Sequence, residues 1–150
     1  MEILGNENLW LYLPLIIWIG GIFYLASGRG SIARTAPFLI PVIEFLLPHG
    51  NATRLQNYHV VIRKLVHLAG YAILALLASI VFYNSSNIFA AKFWYLCSFA
   101  IVFVVASTDE ILQSFSNERV GSLADVALDC IGGLVMISLF WILAPNLFSK

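Results

Sequence analysis

Four long apolar runs, parted by short polar stretches, organise this chain. The first, Leu9 to Ser27, is about long enough to cross a ~30 Å hydrocarbon core as a helix. Trp10, Tyr12, Trp18 and Tyr24 read as interfacial anchors, and Pro14 falls early, where a lost hydrogen bond costs least. The second helix begins near His59 and reaches about Tyr83, with its apolar stretch from Leu65 to Phe82. The third runs from about Phe93 to Phe115 and is free of charge until Asp109. The fourth runs from Leu123 to about Leu143, and Pro145 is expected to close it.

Residues 36–47, between the first and second runs, are different. Pro37, Pro41, the bounding Pro48 and the mid-run Glu44 leave the stretch too short and too broken to span. A short interfacial or re-entrant helix fits that length. Residues 49–59 read as a polar connection, with Asn51-Ala52-Thr53 as a turn rather than a glycosylation acceptor. The expected fold is all-α: one polytopic membrane domain over 1–150, with four transmembrane helices near 9–27, 60–83, 93–115 and 123–143. Residues 1–8 lack the basic segment of a signal peptide.

Composition supports a bilayer as the solvent. Hydrophobic residues make up 61% of the chain and charged ones only 11%, with mean hydropathy +0.90. A soluble domain carries about a quarter charged residues. Net charge is zero and no basic run points to nucleic acid. Cys97 and Cys130 both fall in apolar runs and read as free thiols.

Against that background, one polar concentration changes the picture. Asp109, Glu110, Gln113, Glu118, Arg119, Asp125 and Asp129 lie where the third run ends and the fourth begins. Four crossings bring this region to the same membrane face as Lys64, His67 and Tyr71, which stack on one helix face at spacings of three and four. Some of these residues have simple structural roles open to them. Ser122-Leu123-Ala124-Asp125 has the spacing of a helix N-cap with an acid at its third position. Lys64 could snorkel to headgroups, Tyr71 could be a packing aromatic, and Gly132 and Gly133 fit close helix packing. Three features resist that account. Asp109 and Glu110 sit at a helix C-terminus, where the macrodipole disfavours negative charge. Asp129 lies about two turns inside a membrane helix, where insertion scales put an unpaired aspartate at about +3 kcal/mol. His67 sits near a helix N-terminus, where an imidazolium is disfavoured.

In the combined order of these residues the chain resembles the VanZ-like membrane proteins. The resemblance rests on Ile22-Phe23-Tyr24, then Ile62-Arg63-Lys64-Leu65-Val66-His67 with Tyr71, then Asp109-Glu110-x-x-Gln113, Arg119, Ser122, Asp125 and Gly132, over roughly residues 9–143. Position 129 departs from it, with Asp where the family often has Asn, and Ala26-Ser27 stands where paired serines are usual. The resemblance implies a membrane protein linked to reduced susceptibility to a glycopeptide antibiotic, with a poorly defined biochemical activity.

The chemistry of the cluster suits three tasks. Lys64, His67 and Arg119 could bind a phosphate or carboxylate on a lipid headgroup or envelope precursor, with Tyr71, Asp109, Glu110, Gln113, Asp125 and Asp129 orienting them or meeting an amine or sugar hydroxyl. Alternatively, His67 with Asp109, Glu110, Asp125 or Asp129 could ligate a divalent metal, and His67, Asp109, Glu110 or Asp125 could serve hydrolysis or transfer on a lipid-linked substrate. Finally, the groups could pair only with one another. No established metal or nucleophile motif is present, so headgroup binding ranks first, an enzyme second and structural pairing third. The expected partners are membrane lipids of the plasma membrane. Arg29, Arg34, Arg54, Arg63, Lys64 and Arg119 share the cluster's side, against Lys92 and Lys150 opposite, which favours a cytoplasmic cluster. Removing the site residues Arg63, Lys64 and Arg119 from that count leaves both orientations open.

Overall fold

The computed structural model describes residues 9–29, 32–46, 52–115 and 122–147. Helix α1 (Leu9–Tyr24) continues into one π-helical turn, Leu25–Arg29. There follow α2 (Ile32–Leu46), α3 (Ala52–Tyr83), the five-residue α4 (Ile88–Lys92), α5 (Trp94–Ser114) and α6 (Leu123–Leu147). No strand occurs among the described residues. Four of the helices are long and apolar enough to cross a membrane, within Trp10–Ser27, Thr53–Tyr83, Trp94–Ser114 and Leu123–Ala144.

Three sequence expectations change. The polar stretch after residue 51 is not a connection: α3 starts at Ala52 and has 32 residues. At 1.5 Å per residue it is about 48 Å long, well beyond the ~30 Å hydrocarbon core. Its polar first turns can therefore stand at headgroup level while Leu65–Phe82 lies in hydrocarbon, which is why apolarity alone placed the start too late. At the other end of the chain, α6 runs past Pro145 to Leu147. A proline in the last turn removes only one helical donor. The short α4 was not foreseen; Asn87 caps it, its side chain accepting from the backbone of Phe89 and Ala90.

Helices α3, α5 and α6 pack on one another, while α1 and α2 lie mainly on α3. Lipid tails are as apolar as leucine, so close fit rather than water exclusion holds such helices together. The seam is accordingly built from small residues, with Ala75, Ala78 and Ala106 buried beside Leu74 and Val102. Gly132 and Gly133 turn to different neighbours. A Cβ at Gly132 would lie 2.5 Å from the Leu68 carbonyl oxygen of α3, and one at Gly133 would lie 2.8 Å from Val102 of α5. Large side chains such as Ile16, Val104 and Ile142 face outward, as lipid contact requires. Trp18, read from the sequence as an interfacial anchor, instead donates from Nε1 to the Gly70 carbonyl at 2.9 Å and ties α1 to α3.

The two ends of the bundle differ in chemistry. At one end Tyr83, Trp94, Tyr95, Phe140 and Trp141 form a network of ring contacts. At the other end the seam becomes polar.

Candidate functional site

The polar end follows from helical register. On α3, His59, Arg63, His67 and Tyr71 recur every fourth residue and share one face. On α5 the buried stripe Ser98, Val102, Val105/Ala106 continues into Asp109 and Gln113, so the apolar seam leads directly to acids. On α6, Asp129 precedes Gly132 and Gly133 by one turn and therefore points into the same three-helix junction. The glycines bring the backbones close, and Asp129 fills the space they leave one turn away.

Asp129 is wholly buried and Asp109 nearly so, at 0% and 2% exposure. His67 Nδ1 lies 3.6 Å from Asp129 Oδ1, an ion-pair distance too long for a hydrogen bond. The Tyr71 hydroxyl donates to Asp109 Oδ2 at 3.0 Å, and the rings of His67 and Tyr71 lie stacked at 6.4 Å. Both carboxylate oxygens of Asp129, Asp109 Oδ1 and the Gln113 amide nitrogen have no hydrogen-bond partner among the described residues. One ligand atom from each of His67, Asp109 and Asp129 falls within 4.8 Å of the others, the one such group among the described residues.

The remaining predicted residues divide between structural and peripheral places. Glu110 turns to the start of α6, where its Oε2 accepts from the Ser122 backbone N–H at 2.8 Å. The Ser122 hydroxyl in turn accepts from Ala124 N at 3.2 Å. The first turn of α6 is thus capped by its own serine and by an acid from the neighbouring helix, whereas the sequence offered Asp125 for that task. Asp125 instead faces Lys64 at 3.7 Å, with side chains 37% and 56% exposed, so that pair marks the rim. Of the acids offered by the sequence as metal ligands, Asp109 and Asp129 stand with His67 in this group, while Glu110 and Asp125 lie outside it. Arg63 Nη2 donates to Gln113 Oε1 at 3.4 Å. Arg119 and Glu118 lie outside the described residues.

A groove of about 780 Å³ opens between α1 and α3 beside this cluster. Ile17, Trp18, Ile22 and Ile73 give it apolar walls, and Arg63, His67, Tyr71, Asp109 and Gln113 reach it from the polar side. One of its members, the buried His59, was not among the site residues expected from sequence. The four-residue recurrence from His59 to Tyr71 carries that signal once α3 is known to begin before residue 59. Chemically, the groove offers an apolar channel with one acid, imidazoles and a guanidinium among its lining.

A family model described as VanZ/LLP1 matches residues 9–144. Comparison with curated proteins and with solved structures gives no match.

Proposed function

The chain belongs to the VanZ/LLP1 family, and on that premise we propose that it binds a lipid headgroup or a lipid-linked cell-envelope precursor at the polar end of the α1/α3 groove. The observation that carries this reading is the groove's own division. Apolar walls of α1 and α3 suit an acyl or polyprenyl chain, and the Arg63, His67, Asp109 and Gln113 end suits a polar head. Arg63 and the rim Lys64 would meet a phosphate, while Asp109 would meet a hydroxyl or amine. Placement in the plasma membrane and a link with glycopeptide susceptibility belong to the same proposal, since a lipid-linked envelope precursor is the type of molecule that would connect them.

Structural pairing alone fits less well. A packing cluster satisfies its buried acceptors, and here three carboxylate oxygens on two buried aspartates have no donor among the described residues. An enzyme acting on the same class of lipid has one observation in its favour, the closeness of His67, Asp109 and Asp129.

The test is lipid analysis of protein extracted in mild detergent, with Arg63→Gln and Lys64→Gln compared with wild type. The expected result is enrichment of one phosphate-bearing lipid class in the wild type, reduced in both variants. Co-purified lipid of bulk-membrane composition, unaltered by the substitutions, would overturn the proposal.

A further inference from the structure

We propose that His67, Asp109 and Asp129 bind one divalent cation of the Mn²⁺ or Zn²⁺ type. The inference does not depend on the lipid reading, because it rests on the protein's own ligand atoms. One atom from each residue lies within 4.8 Å of the other two. With metal–ligand bonds of about 2.0–2.2 Å, two ligands of one ion stand roughly 3–4.4 Å apart. The 3.6 Å between His67 Nδ1 and Asp129 Oδ1 already falls in that range, and the 4.8 Å bound on the whole group leaves Asp109 within a few tenths of an ångström of it.

A second observation points to a ligand independently of this clustering. Asp129 is 0% exposed and Asp109 2%, yet among the described residues no hydrogen-bond donor reaches either oxygen of Asp129 or Oδ1 of Asp109. Buried acceptors are ordinarily satisfied. Among the described residues, His67 faces Asp129 at 3.6 Å, while Arg63 is engaged with Gln113 and Lys64 with Asp125. A dication at the junction would satisfy these oxygens and balance two carboxylates at once.

The rest of the site fits such an ion. Tyr71 holds Asp109 by Oδ2 and leaves Oδ1 as the donor atom, the kind of outer contact that orients metal-binding carboxylates. One imidazole nitrogen with two carboxylates is a mixed donor set, suited to Mn²⁺ or Zn²⁺ more than to Ca²⁺ or Cu⁺. His67 and Asp109 also line the groove, so coordination positions on that side are open to water or to an anionic head.

The experiment uses the full chain in detergent, stripped with chelator and titrated with Mn²⁺ by electron paramagnetic resonance and with Zn²⁺ by calorimetry, without added lipid. The expected result is saturable binding of one equivalent, with a melting temperature that rises with metal concentration. Asp129→Asn should abolish it, and Tyr71→Phe should weaken it roughly tenfold to a hundredfold. Glu44→Gln, an exposed acid on α2, should leave it unchanged. No saturable binding to the wild type would overturn the proposal, as would equal affinity in folded Asp129→Asn. If that variant does not fold, unaltered affinity in Tyr71→Phe overturns it instead. A metal result in either direction leaves the lipid measurement to stand or fall separately.

Discussion

Replacing Gly132 with alanine tests the geometry on which the whole polar junction depends. The new Cβ would sit 2.5 Å from the Leu68 carbonyl oxygen, whereas real Cβ atoms essentially never approach closer than 3.0 Å. The obstacle is backbone, so no rotamer change relieves it, and α3 and α6 must part by about 0.5 Å or slide. Overpacking of this kind costs about 1–3 kcal/mol, and an unyielding backbone atom puts Gly132 in the upper half of that range. Alanine's helix propensity returns up to ~1 kcal/mol, which leaves a net loss of about 1–2 kcal/mol. Gly20→Ala is the control, since nothing lies within 4 Å of its Cβ position and only the propensity gain applies. The assay is heat-induced loss of the monodisperse peak in size-exclusion chromatography, in one detergent. Gly132→Ala should melt below wild type and Gly20→Ala at or above it. Equal melting of the two variants would refute the claim that α3 and α6 meet through glycine.

Other outcomes follow from the same structure. Asp125→Asn breaks only a half-exposed rim pair and should cost less than about 1 kcal/mol in the same melt, while reducing co-purified lipid; a loss of several kcal/mol would make the pair a structural one. Glu110→Ala removes the acceptor for Ser122 N–H and should destabilise by about 1–2 kcal/mol, with Glu110→Gln milder because an acceptor oxygen remains. At 15 residues α2 is about 22 Å long, short of a ~30 Å crossing. Cysteines introduced at positions 33 and 50 should therefore be labelled from the same side of the membrane, and labelling from opposite sides would show that the segment crosses.

The helical membrane architecture was legible because it is written in hydrophobic run length, the quantity a bilayer reads. Element ends were legible only where polarity and helix boundary coincide. They coincide at Leu123, after Ser122, but not in α3, whose first turns are polar and still helical. Membership of the polar site was visible in the order of Lys64, His67, Asp109, Gln113 and Asp129. Who meets whom was not, since partners are fixed by helix rotation and separation. Glu110 illustrates this: its sequence neighbours mark it as a site acid, and only the approach of α5 to α6 assigns it to Ser122. His59 went unnoticed for a related reason, because a stripe with a four-residue period is invisible in a segment taken as a connection.

The capping of α6 by Glu110 has a consequence for how the protein is made. A part-buried N–H without an acceptor costs about 1–3 kcal/mol, so the first turn of α6 is complete only once it meets α5. Here the acceptor for Ser122 belongs to α5, which synthesis delivers first. The last two spanning helices therefore form a natural insertion unit, a hairpin whose second arm is completed by its first.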